Sequence, residues 1–187
     1  MVVLRATQRV LCRLPSAFQD DHESETALGD WYVNRLVVNR RPLMLLVSSR
    51  SLLAILTPAR DVRMLPERLA LLVADRLRRL GIPKGLIDAE VAAMDPVVTA
   101  PTRDRSVVGI LVDFAHSVPY YLPDGGLDVT KLASVEDRLA RTPCHASRRS
   151  DEVVFPDTVA PKLLANCWLR VDGALRRQER DELQQPR

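Results

Sequence analysis

Trp31-Tyr32-Val33-Asn34-Arg35-Leu36-Val37-Val38, then Asn39-Arg40-Arg41-Pro42, then Leu43-Met44-Leu45-Leu46-Val47 is the stretch that decides the fold. Its first segment is rich in aromatic and β-branched residues, which suit a pleated surface. The middle four residues are polar and turn-forming, and the last five are a short continuous apolar run. The reading is an antiparallel hairpin with a buried second strand and its turn over Asn39–Pro42. Working outward, Val2 to Ala6 predicts a strand, followed by a helix capped by Thr7 and ended by Pro15. Ser16 to Gly29, which holds Asp20, Asp21, Glu23 and Glu25, reads as an acidic loop. Leu52 to Leu56 is a third strand or a helical turn, because periodicity does not decide for so short a run.

Helical patterns follow. The clearest begins at Pro66 and ends at Gly81, with proline suited to the first turn and glycine to a left-handed cap. Leu65, Leu69, Leu72, Val73, Leu77 and Leu80 make its apolar stripe, and Arg68, Asp75, Arg76, Arg78 and Arg79 its solvated face. Further helices are expected over Leu86–Met94, over Ser106–His116 with Pro119 as stop or kink, and over Thr130–Arg141. A last one starts near Asp157 or Thr158 and turns Leu163, Leu164, Trp168 and Val171 inward. Asp95 to Pro101 reads as an extended connector or edge strand. The expected fold class is α+β: a small antiparallel sheet packed against several helices on one face, in a single domain. Residues 1–145 form the core, and 146–187 a polar loop and a C-terminal amphipathic helix.

The 187 residues are 47% hydrophobic and 27% charged, with a net charge of +3. That balance suits a folded core and does not by itself demand nucleic acid or membrane. No apolar run approaches the roughly 18 residues of a membrane helix, so no membrane partner is expected. Cys12, Cys144 and Cys167 are widely spaced, with no C-x-x-C, which supports neither a disulfide framework nor zinc. The expected location is a reducing cytoplasm. No phosphate-loop, dinucleotide, zinc-protease or nucleophile-elbow motif occurs, so neither cofactor nor metal is expected. The basic residues are arginine-rich, 24 Arg against 3 Lys. Guanidinium recognition of anions would account for that excess, but codon bias towards Arg is the simpler explanation, since Arg serves readily in ordinary surface ion pairs.

Two constellations could carry chemistry. His116, three residues after Asp113 and beside Ser117, Tyr120 and Tyr121, could act as acid or base in RNA cleavage. The simpler reading is a helix-end histidine bonded to its own i−3 carboxylate. Arg40 and Arg41 at the hairpin tip, Arg103 and Arg105 before a helix N-terminus, and Arg148-Arg149 could gather around an anion, which that N-terminus also favours. The simpler reading there is pairing with Asp104 and the acidic loop.

Several segments, in order along about the first 145 residues, resemble a family of short bacterial proteins of unassigned function. Ala6-Thr7-Gln8-Arg9-Val10-Leu11 is similar to its T-Q-K-L opening, and Gly29-Asp30-Trp31-Tyr32 with Asn39-Arg40-Arg41 to its D-W-[HY] strand and R-R turn. Thr102-Arg103-Asp104-Arg105-Ser106-Val107-Val108-Gly109 resembles its T-x-x-R-S-V-L-G segment, and Leu139-Ala140-Arg141-Thr142-Pro143 its L-N-x-T-P segment. This chain has Ile110, Leu111 and Val112 where the family commonly continues Ser-Met-Asn. The resemblance implies no reaction, but it directs attention to Asp30, Trp31, Arg41, Arg103, Arg105 and Asp113. The functional expectation is a binding or interaction module for an anionic partner, nucleic acid included. The alternative is a small toxin-like ribonuclease or other hydrolase using His116 and Asp113. A homodimer through the Trp168 helix is a further expectation.

Overall fold

Trp31–Val38 (β2) and Arg41–Ser48 (β3) pair antiparallel along their whole length, Trp31 opposite Ser48 and Val38 opposite Arg41. They belong to a computed structural model that describes residues 1–14, 22–122, 129–145 and 153–183, without the side chains of 61, 129 and 170–183. The turn is shorter than expected. Only Asn39 and Arg40 lie in it, both with positive φ (50° and 62°), as a tight hairpin whose twist matches its strands requires. Pro42 is admitted to β3 because Val37–Pro42 is the pair next to the turn-flanking one, so the proline nitrogen faces away from β2. On that side β4 has already ended, opposite Leu43.

Ala54–Pro58 (β4) pairs antiparallel with β3, which resolves the ambiguity over Leu52–Leu56 as a strand. Val2–Ala6 (β1) lies parallel to β2, and Val97–Pro101 (β5) parallel to β1, so the order is β4-β3-β2-β1-β5. The remaining elements are Gln8–Leu11 (α1), a 3-10 helix over Ala59–Met64, Leu65–Arg79 (α2), Lys84–Ala93 (α3), Arg105–Tyr121 (α4), Val129–Ala140 (α5), the two-residue pair Cys144–His145 (β6) and Val153–Val154 (β7), and Pro156–Leu183 (α6). The fold is α+β and single-domain. Thr7 stands at the N-cap of α1, but its hydroxyl bonds Asn34 Oδ1 at 3.0 Å. Pro15, the first half of the acidic loop and Arg148-Arg149 lie outside the described residues. Among the described residues, no helix is long and apolar enough to cross a membrane.

Helices cover both faces of the sheet, not one. On the first face Leu4, Trp31, Val33, Met44, Leu46 and Ile55 pack against α2, α3 and α6 through Leu69, Val73, Leu77, Ile87 and Leu164. On the second, Tyr32, Leu45, Val47 and Leu56 pack against α4 and α5 through Val107, Leu111, Phe114, Leu132, Val135 and Leu139. The unbroken apolar run of β3 was the signal for this, since a strand solvated on one face alternates.

Arg76 also departs from expectation: it is fully buried rather than part of a solvated face. Its Nη1 meets Asp137 Oδ1 at 2.6 Å and its Nη2 donates to the Glu136 carbonyl at 3.1 Å. Glu136, buried on α5, places Oε2 2.6 Å from Arg79 Nη2 and accepts the Leu56 N–H on Oε1 at 2.6 Å. Helices from opposite faces thus meet around the edge strand β4 and occupy its free N–H, which blunts an edge otherwise open to pairing. A second buried acid, Glu90 of α3, accepts the Ala27 and Leu28 N–H groups (2.9 and 3.0 Å) and Trp168 Nε1 (2.9 Å). It ties α6 to the segment before β2.

Candidate functional site

The first ingredient is an arginine inside a strand. Arg5 alternates with Leu4 and Ala6, so it points to the second face, and it is 2% exposed. A buried guanidinium needs a carboxylate. Asp30, immediately before β2, provides it: its Oδ2 accepts from Arg5 Nε. Oδ1 accepts the Ser24 N–H at 3.2 Å and the Ser24 hydroxyl at 2.6 Å. The other Arg5 nitrogens donate to the His22 carbonyl (2.9 Å) and the Pro101 carbonyl (3.4 Å). The pair therefore fastens β1, the 22–30 segment and the end of β5 together.

Above this pair lies a small polar cleft lined by Glu23, Ser24, Gly29, Asp30, Tyr32, Ser49, Arg50, Arg103 and Asp104. Arg103 Nη2 stands 3.3 Å from Glu23 Oε1 and 3.8 Å from Asp30 Oδ2. The Tyr32 hydroxyl accepts the Asp104 N–H at 3.2 Å. Burial raises the Tyr32 pKa, opposed by that bond and by Arg5 nearby, so the phenol stays protonated at neutral pH. Gly29 has φ of +75° and lets Ser49 and Arg50 close over it.

Of the expected site residues, the structure brings together Asp30 and Arg103. Trp31 is fully buried in the first core, its Nε1 without a hydrogen-bond partner among the described residues, so it holds the sheet. Arg105 is exposed outside the cleft lining, and the helix N-terminus expected to favour an external anion is taken by Asp104, which accepts from Ser106 N and Val107 N. Arg40 and Arg41 are exposed at the far end of β2, whose eight residues at about 3.4 Å each set them more than ~20 Å from Asp30. Asp113 and His116 lie exposed on α4, with no bond between them. Sequence reading missed Arg5, Ser24 and Arg50. An arginine at an inward position of an otherwise apolar strand was the available signal for Arg5. Among the described residues no group of His, Cys, Asp and Glu side chains could hold a metal ion.

A family model described as a domain of unknown function, DUF6933, matches residues 3–159. The chain belongs to that family. No curated protein and no solved structure matches it. In this DUF6933 chain the Gly29–Tyr32 and Thr102–Gly109 segments, some seventy positions apart, meet in the cleft through Asp30–Arg103 and Tyr32–Asp104.

Proposed function

We propose that this DUF6933 protein is a binding module whose cleft takes a small anionic group, a carboxylate or a phosphate, on Arg103 and Tyr32. The observation that carries the reading is the Arg103–Glu23 pair. Glu23 is 75% exposed and Arg103 39% exposed, so the cleft holds one of the chain's own carboxylates through a contact that contributes little to stability. An external anion displaces Glu23 at small cost, whereas Arg5 and Asp30, buried and fully bonded, stay as the fixed floor. Tyr32, protonated and buried, offers its O–H as a neutral donor.

The test is calorimetric titration of inorganic phosphate and acetate into the wild-type protein, Glu23→Gln and Arg103→Ala. Removing Glu23, one of the partners that Arg103 has within the chain, tightens binding in Glu23→Gln, and Arg103→Ala abolishes it. Absence of heat with both anions in Glu23→Gln sinks the proposal. The exposed positions of His116 and Asp113 outside the cleft give the ribonuclease alternative no comparable support.

A further inference from the structure

We infer that the free end of the β2–β3 ribbon is an interface for the phosphate backbone of a double-stranded nucleic acid. This surface is separate from the cleft. β1 pairs with β2 only as far as Val33, and β4 pairs with β3 only from Leu43 onward. The end of the hairpin therefore extends past both neighbouring strands as a two-stranded ribbon, one face held by Val38 in the second core and the other open at the exposed Val37. Asn39, Arg40, Arg41 and Pro42 are all exposed there, and neither arginine has an ion-pair partner among the described residues.

The next stretch of chain returns to the same end. β4 stops at Pro58, opposite Leu43, and the 3-10 helix that follows packs beside β3. Pro58, Arg60, Met64 and Arg68 line a groove of about 330 Å³, and Arg63 is exposed beside it. Sequence reading placed Arg40 and Arg41 in an anion site and overlooked Arg60 and Arg63, because only the register of β3 with β4 brings them to this end.

Shape and charge together favour nucleic acid. A two-stranded ribbon fits the major groove of a duplex, about 12 Å wide. Arginines spread across its tip and flank suit phosphates in bidentate contacts. Arg60 and Arg68 have partners of their own, so the charge offered to phosphates rests on Arg40, Arg41 and Arg63, all exposed.

The experiment is fluorescence anisotropy of a labelled 20-base-pair DNA duplex, titrated with the full chain at several salt concentrations, with polyglutamate as competitor. Contacts to about three phosphates give a log–log salt slope of roughly −3. Arg40→Gly and Arg41→Gln each weaken binding several-fold and reduce the slope by about one. Arg78→Gln, an equal charge change on α2, leaves binding as in the wild type. Arg40→Gly is informative because it relieves a positive φ, so lost binding cannot be ascribed to misfolding. Three results overturn the inference: no anisotropy change at low salt, unchanged affinity in both tip variants, or stronger competition by polyglutamate than by unlabelled duplex, which assigns the surface to an acidic protein. None of these touches the phosphate and acetate heats by which the cleft is judged.

Discussion

At Gly29 the backbone turns with φ of +75°, and a Cβ there would stand 2.5 Å from Ser49 Oγ and 2.9 Å from Arg50 Cγ. An L side chain in the left-handed region costs about 1–2 kcal/mol, and the close approach of the 49–50 loop adds to it. Gly29→Ala is therefore expected to lower stability by about 2 kcal/mol or more, read as a lower urea midpoint with an unchanged slope. It also moves Asp30, because the Ser49 N–H donates to the Asp30 carbonyl at 2.7 Å. Asp30 was visible in the sequence as a candidate, but its partner was not. Arg5 and Asp30 are twenty-five positions apart, and nothing local to either indicates the other.

Among the elements, the contact between α2 and α5 around β4 holds the two helical layers in one register. Removing Glu136 leaves Arg76 buried beside a lost carboxylate and the Leu56 N–H without its acceptor. Breaking such a buried pair costs on the order of 3 kcal/mol, so Glu136→Ala should show a loss of that size in chemical denaturation. The double variant Glu136→Ala, Arg76→Met should recover part of it. Glu90 provides the pH test. Burial raises its pKa above the ordinary 4.5, despite bonds from Leu28, Ala27 and Trp168. The folded state holds that proton more tightly than the unfolded chain, so Glu90's contribution is fully present below pH 4.5 and is lost as pH rises through the raised value. Glu90→Gln sets an amide donor against backbone N–H groups, so it should melt lower at every pH and show a flatter melting-temperature profile above pH 4.5. An unchanged profile would mean Glu90 does not titrate in that range. The helix α2 was legible from its stripe and from Gly81, whereas the burial of Arg76 was not, since a helical wheel reports only that a position is polar.

For the whole molecule, the hairpin, the first strand and the major helices were readable because local periodicity encodes them. The parallel pairings of β1 were not, because they join Val2–Ala6 to residues some thirty and ninety-five positions away. The boundary expected at 145/146 can be tested directly. Ala160 and Leu164 are fully buried in the first core, and Trp168, expected at a dimer contact, is bonded to Glu90 of its own chain. A chain ending at Phe155 should melt well below the full protein by circular dichroism, and one ending at Leu169 close to it; equal melting of the shorter chain would make α6 an appendage. The Glu90 link reaches further than stability. Glu23, Asp30, Ala27 and Leu28 share one short segment, and Glu90 joins the backbone of that segment to Trp168. The protein has two tryptophans, Trp31 adjoining Asp30 in sequence and Trp168 at the other end of this chain of bonds. The fold consequently carries an intrinsic optical probe: displacing Glu23 should register as a change in indole emission, with no label attached.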